Sequence, residues 1–391
     1  MKLFGVIPMD SKIQNRKIVI VNQAANYLTV DICNAFVKKT WQVHLITGNV
    51  HEQGNLLDKS IKISKINRYR RSSSSRKVLS YLTATIRIWI LLITKYRKFE
   101  VFFISLPPMA YLLTLLVKNK SSMLIWDVYP DAFKVTGMSE KNKIYKLWVQ
   151  ADRRVFERAY RLFTIGNRMK ELLSVYVPPE KITVMPLWSI FDGTEKINKN
   201  SNPFIKQENL QDKFVVQYSG NIGLTHNVEL VIELAELLKE NNRILFQIIG
   251  KGLRVPYLKK LTEEKNLKNC QFLPFQTDET FPLSLSAANL GIVILDDRTS
   301  KGSIPSKTYN LMSFGIPILY LASEDSELHD YSIKYFNGKL FNRLALEGAA
   351  EFIQQLASDD NLYKELSNNS ALAAKNFTRI NADQIVEEYF F

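Results

Sequence analysis

Only two cysteines, Cys33 and Cys270, stand among the 391 residues. They fall in different halves of the chain. Neither has a second cysteine or a histidine nearby at ligand spacing, which argues against a disulfide framework and a structural zinc site and fits a reducing cytoplasm. Histidine is scarce as well, four in all, and no Asp-x-Asp pair suggests a bound metal, so none is expected. No apolar run reaches the roughly 20 residues that a membrane-crossing helix needs. The most apolar stretch, residues 78–93, is broken by Arg87. The apolar start, residues 1–8, is short for a signal peptide and runs into Asp10, Ser11 and Lys12. No solenoid-period repeat occurs, and the only low-complexity segment is the serine run at 72–75.

Acid is short against base. Asp and Glu total 38 against 52 Lys and Arg, a net charge of +14, with a pI near 9.5. This balance points to an anionic partner (nucleic acid, an acidic membrane face or phosphate-bearing substrates) or to a lysine-rich solvated surface. The basic loop at 68–77 has one tyrosine, Tyr69, and no nucleic-acid-binding motif, so nucleic acid is not the expected partner. What is present is an ordinary globular composition, 46% hydrophobic and 23% charged. The length suits two domains of roughly 150–200 residues.

Short β-branched runs alternate with helical patterns along the whole chain. Strands are expected at 17–22, 42–47, 61–66, 101–105, 123–126, 161–165 and 181–185, with helices at 29–38, 78–96 and 143–160. The polar segment 192–203 reads as a linker. A second alternation has strands at 214–218, 244–249, 270–273, 290–295 and 318–321. Its helices are expected at 227–239, 255–264 and 307–314, with more from 345 onward. The expectation is an α/β protein of two doubly wound domains, with a cleft between the C-terminal edges of two parallel sheets.

Three loops of the second half could receive an anion. Gly220, Asn221 and Gly223 follow a strand, and His226 and Asn227 stand at a helix start; the same residues could form a tight turn with Asn227 as N-cap. Gly250 and Gly252, with Lys251 and Arg254, follow the next strand, where glycines also commonly end strands. Ser303, Pro305 and Ser306 lead into a helix beginning with Lys307. The two serines could cap that helix or bind a diphosphate, with Lys307 as a point charge and Asn310 one turn further on. In the first half Asp127 ends a strand and Asp131 follows it; a carboxylate there can contact a sugar hydroxyl, take a proton or cap a helix. Asn22 and Gln23 face the cleft by position. The helix at 78–96 carries Leu79, Leu82, Ile86, Ile90 and Ile93 at helical spacing beside Arg87 and Trp89. It reads as interfacial or as packed on the sheet.

In their order and spacing these motifs resemble glycosyltransferase family 4, the retaining GT-B enzymes of bacterial capsule and O-antigen polysaccharide assembly. Tyr218 to Gly223 resembles that family's Y-x-G-N-I-G loop, Ile249 to Gly252 its G-x-G loop, and Ile304 to Pro317 its P-S-K-x-Y…G-x-P segment. Ser105 to Pro108 and Trp126 to Asp131 resemble its S-x-P-P and D-x-W-P-E stretches. The resemblance implies a GT-B fold: an acceptor domain at 1–195, a nucleotide-sugar domain at 204–375, and a helix at 376–391 crossing back. It implies a UDP-sugar as co-substrate with no other cofactor. The diphosphate would lie on Gly220, Asn221, Gly223 and the Ser303–Lys307 loop, with Gly250, Gly252 and Arg254 also on the donor side. Phe275 and Gln276 would lie near the base and Asn310 near the ribose. Asp127 would stand near the sugar, with Asn22, Gln23 and Asp131 on the acceptor side. Lys307 and His226 would stabilise the leaving diphosphate. The implied acceptor is a lipid-linked saccharide at the anionic inner face of the cell membrane, where the chain would be peripheral. Two glutamates that the family often carries are Gly302 and Asn310 here, and its Arg and Lys stand near Asn221 and His226. These departures keep open a non-catalytic subunit, and a nucleotide-sugar epimerase or hydrolase is a further alternative.

Overall fold

The computed structural model describes residues 16–69, 74–223 and 226–390. The apolar start and residues 70–73 of the basic loop lie outside them. The first half contains β1 (Lys17–Val21), β2 (Ala24–Ala25), β3 (Gln42–Thr47), β4 (Asn49–Val50), β5 (Lys62–Lys65), β6 (Glu100–Ile104), β7 (Ser121–Ile125), β8 (Leu162–Thr164) and β9 (Ile182–Val184). Seven of these make one sheet in the order β5-β3-β1-β6-β7-β8-β9, and β2 pairs with β4 beside it. Every pairing is parallel. In β1 only Lys17 is exposed; a β-branched run buried on both faces is what a helix-covered parallel sheet demands.

The covering helices are α1 (Tyr27–Lys38), α2 (Ser74–Ile93), α3 (Lys143–Arg158) and α4 (Asn167–Leu173). Asn26 opens α1 by accepting the Thr29 N–H, and Asn142 opens α3 by accepting that of Ile144, each meeting a donor that the helix cannot. α2 starts and stops earlier than its apolar pattern suggests. Residues 94–98 leave the helix, and Tyr96 turns into the core to bond Ser64 and His44.

α5 (Pro203–Gln207) leads into the second sheet: β10 (Phe214–Asn221), β11 (Ile244–Lys251), β12 (Cys270–Leu273), β13 (Leu290–Ile294), β14 (Ile318–Leu321) and β15 (Gly338–Phe341). These run parallel in the order β12-β11-β10-β13-β14-β15. The switch of direction lies beside β10, where ligands of open α/β sheets bind. Around it lie α6 (Glu229–Leu237), α7 (Val255–Glu264), α8 (Phe281–Ala287), α9 (Lys307–Ser313), α10 (Glu327–Tyr335), α11 (Leu346–Ser358) and α12 (Asp360–Ala374).

α13 (Ile380–Phe390) returns to the first lobe. Its Tyr389 meets Phe36 and Trp41 edge-on at 5.4 and 5.7 Å and donates to Glu100 at 2.7 Å. The chain thus crosses between lobes twice, and the crossings are bonded to each other. Ser189 N–H donates to the Phe377 carbonyl, Arg379 N–H to Asp192, and Asn381 to the Pro186 carbonyl. The segment expected as a plain linker begins at this tie. A single apolar cluster runs through both lobes past the crossings, and Trp188 is fully buried within it. The Trp188 indole donates to Asp31 at 2.9 Å. Trp188→Ala is expected to cost about 3–5 kcal/mol, read as a lower urea midpoint at unchanged slope.

Candidate active site

A cavity of about 870 Å³ lies between the lobes, a size that suits a small organic ligand. Its first-lobe wall includes Lys77, Asp127, Tyr129 and Asp131. Its second-lobe wall includes Gly220, Asn221, His226, Phe275, Gln276, Asp296, Arg298, Ser303, Pro305, Ser306, Lys307 and Asn310.

β10 and β11 stay paired to their last residues, with Gly220 opposite Gly250. A Cβ on Gly250 would stand 1.8 Å from the Gly220 oxygen, and one on Gly252 would stand 2.0 Å from the Ile222 oxygen. Glycine at these two positions therefore lets one backbone lie on another. Neither residue is among those lining the cavity; what the structure shows at Gly250 and Gly252 is a role in strand packing. Arg254 is drawn off in the same way: it ion-pairs with Glu229 and lies 4.4 Å from the Tyr257 ring. Gly223 also stays behind the wall, closed in by Asn221 and His226, whose nitrogens a Cβ would meet at 3.1 and 3.2 Å.

Gly220 does reach the cavity. A Cβ there would stand 3.0 Å from Lys307 Nζ. The Lys307 ammonium is 3.6 Å from the centre of the Tyr218 ring, the position of a cation–π contact. Burial pushes Lys307 down to about 7. His226 is also lowered, first by burial and then by the charge of Lys307. The serines do not cap α9 with their side chains. Ser306 sits at the N-cap with helical φ −59° and ψ −23° and makes no side-chain cap bond, because a capping side chain needs extended backbone to reach forward. The Ser306 side chain is left to the cavity wall. Asn310 accepts from Ser189 Oγ at 3.0 Å. Phe275 is 56% exposed, with Lys251 5.3 Å from its ring, and Gln276 donates to the Pro274 carbonyl.

On the opposite wall Asp127 follows β7. Burial pushes its carboxyl up to about 7, and the charge of Lys77 works against that rise. Asp131 lines the cavity but is engaged by Tyr145 at 2.8 Å, Tyr176 at 3.3 Å and Lys134 at 2.5 Å. Those bonds fix the short 3-10 helix Asp131–Thr136. Asn22 and Gln23 are not brought to the cavity. Both are buried. Asn22 donates to Thr29 and accepts from Ala24 N–H, while Gln23 donates to the carbonyls of Asn67 and Ser80. β2 carries the chain on in the direction and register of β1, pairing with β4 as β1 pairs with β3, and these side chains turn inward and knit the lobe together.

Lys77, Asp296 and Arg298 were not singled out by the sequence motifs. Asp296 holds Arg298 through Nε at 2.8 Å and Nη2 at 2.7 Å, and the Arg298 side chain remains 56% exposed. The run Asp296-Asp297-Arg298 follows closely on β13, so its strand-end position was the available signal. Lys77 had none, since only the folding of α2 against the β7 end brings it to Asp127. Among the described residues no group of three or more His, Cys, Asp or Glu is placed to hold a metal ion.

Beside the cavity the lobes are pinned. α4 begins at Gly166, which offers no side-chain cap; Glu327 of the other lobe supplies one, accepting the Arg168 N–H at 2.8 Å. Arg168 reaches Asp330 through Nε and Nη2, each at 2.8 Å. Glu327→Ala is expected to cost about 1–2 kcal/mol, the scale of a lost cap. It should also enlarge the radius of gyration of the ligand-free protein in small-angle scattering.

Residues 200–372 match the family described as glycosyl transferases group 1. The probable glycosyltransferase WbjE of Pseudomonas aeruginosa is 26% identical over 211 residues, 53% of this chain and 52% of that protein. The putative colanic acid biosynthesis glycosyl transferase WcaI of Escherichia coli K12 is 26% identical over 223 residues, 56% and 54% of the two chains. The chain thus spans about half the length of the curated relatives it matches. Among solved structures, Anabaena HepE in complex with UDP and glucose superposes with a TM-score of 0.72 over 96% of this chain and 99% of that one, at 14% identity. The fold is GT-B, with two Rossmann-like lobes.

Proposed function

We propose that this chain is a group 1 glycosyltransferase of cell-surface polysaccharide biosynthesis. It moves a sugar from a UDP-sugar to a lipid-linked saccharide at an anionic membrane face, with retention of anomeric configuration. The observation that carries the reading is Lys307, held against Gly220 in a cavity whose far wall offers Asp127. A cation with no ion pair among the described residues suits an incoming pyrophosphate, and Gly220 lets the backbone come close to it. The match to group 1 glycosyl transferases and the UDP in the HepE complex support the donor class. Binding would fix Lys307 in its charged form. Lys307, His226 and the exposed Ser306 side chain would then stabilise the diphosphate as it leaves. Asp127, charged, would hold a sugar hydroxyl on the opposite side.

Two groups that both titrate near 7 give this reading a pH signature. Asp127 acts when deprotonated, so its contribution appears as pH rises through about 7. Lys307 acts when protonated, so its contribution disappears as pH rises through about 7. The expected kcat/KM profile is a narrow bell centred near neutrality, reporting the free enzyme. Asp127→Asn should lower the maximum and flatten the acid limb alone. A profile flat from about pH 6 to 8 would remove both assignments.

The decisive experiment incubates the protein with a panel of nucleotide-sugars and a lipid-linked acceptor and reads products by mass spectrometry. Transfer supports the proposal. An epimer or free sugar would make it an epimerase or hydrolase, and no turnover while it binds a partner chain would make it a non-catalytic subunit.

A further inference from the structure

α2 has two apolar faces. Tyr81, Ala84, Ile88 and Leu92 are buried in the lobe. Val78, Leu82, Ile86, Trp89, Ile90 and Ile93 point the other way, each 38% to 56% exposed. At about 100° per residue these six fall within an arc of about 120° along the whole helix. Arg76 and Arg87, both exposed, stand just beyond one border of that arc. An isolated exposed Leu means nothing, but a continuous apolar stripe on one helix marks a surface that something covers.

Charge says what the cover is. Between Asp58 and Glu100 the sequence has 12 lysines and arginines and no acidic residue. An apolar arc bordered by arginines and set in a purely basic segment complements an anionic lipid surface, where acyl chains receive the stripe and headgroups the cations. A second copy of the chain would set this basic segment against itself. No described helix is long and apolar enough to cross a membrane, and Arg87 interrupts the middle of this one, so the fitting geometry lies in the plane of the interface. The helix also has a direction. Lys77, in its first turn, lines the cavity and acts on Asp127.

We infer that α2 is an in-plane membrane helix, docked on anionic lipid through its outer stripe, which holds the cavity mouth at headgroup depth. The inference deepens the proposed reading and rests on it for one point only, that a lipid-anchored acceptor is what arrives there. A phosphate-bearing headgroup entering at that level meets Lys77 first.

The test is co-sedimentation of the full chain with vesicles of phosphatidylcholine alone or mixed with phosphatidylglycerol. Binding is expected to the mixed vesicles, to weaken with added salt and to be slight on the neutral ones. Ile86→Glu with Ile90→Glu should lower the bound fraction at least about tenfold while leaving UDP binding and transfer to a water-soluble acceptor unchanged. Val78→Glu with Leu82→Glu repeats the test should the first pair lower the melting temperature. Vesicle binding that survives both pairs, or that is equal on neutral lipid, overturns the inference. So does a dimer in sedimentation velocity that both pairs dissociate. Vesicle binding lost in the variants upholds it even if no sugar transfer is found.

Discussion

Lys307→Ala is expected to lower kcat at least about tenfold, and about a hundredfold on the scale of one removed oxyanion donor, without unfolding the protein. The ammonium lies over the Tyr218 ring, and burial alone brings its proton affinity down to near neutrality. Holding there a cation that no described residue ion-pairs opposes folding, so its removal should leave the melting temperature level or raise it. Stability and activity would then move in different directions, which separates a role in binding charge from a role in packing. The donor supplies the missing anion. UDP affinity is therefore expected to be greatest below about pH 7 and to fall as pH rises above it, with a proton taken up on binding in that range. Calorimetry in buffers of different ionisation enthalpy measures that proton. In the variant the uptake should fall, leaving at most the share of His226. Unchanged turnover would take Lys307 out of the mechanism.

Gly250→Ala is expected to damage fold and site together, although Gly250 is not part of the cavity wall. Its φ of +153° is one that side-chain-bearing residues rarely adopt, and the added carbon would sit 1.8 Å from the Gly220 oxygen. Backbone cannot yield as a side-chain tip can, so β10 and β11 must part at their ends. The cost should be about 2–4 kcal/mol, and the displaced Gly220 would no longer stand against Lys307. Loss of UDP affinity should accompany the fall in urea midpoint. Ala at Gly302 is the contrast: its Cβ would meet only a Leu172 methyl at 3.4 Å, so stability should stay within about 0.5 kcal/mol. Equal behaviour of the two variants would refute the strand-packing role of Gly250.

Those two glycines show what local sequence can carry. The alternation of β-branched runs with helical patterns was legible because a parallel sheet buried on both faces has few other ways to be written. The helix at 255–264 and the strand at 270–273 fall where their patterns end. Glycine spacing was ambiguous. A loop that cradles phosphate and a strand end lying on a neighbouring carbonyl need the same residue for the same reason, and only the distance from Gly250 to Gly220 tells them apart. Asn22 and Gln23 were ambiguous because a polar pair at a strand end suits either a ligand or bonds to the lobe's own backbone and side chains, as here. Ser306 was ambiguous until its backbone angles were known. Lys77 lies 50 residues before Asp127, and no spacing rule connects a helix start with a strand end in another βα unit. The long-range contact appears only after the sheet order is set.

The paired crossings between the lobes bear on how a ligand enters. Two peptide strands laced side by side, Ser189 to Phe377 and Asp192 to Arg379, behave as a ribbon: easy to flex across its width, stiff to torsion. Admission and release would then be a swing about one line, like a book on its spine, with the Arg168–Asp330 pair as the clasp on the fore-edge.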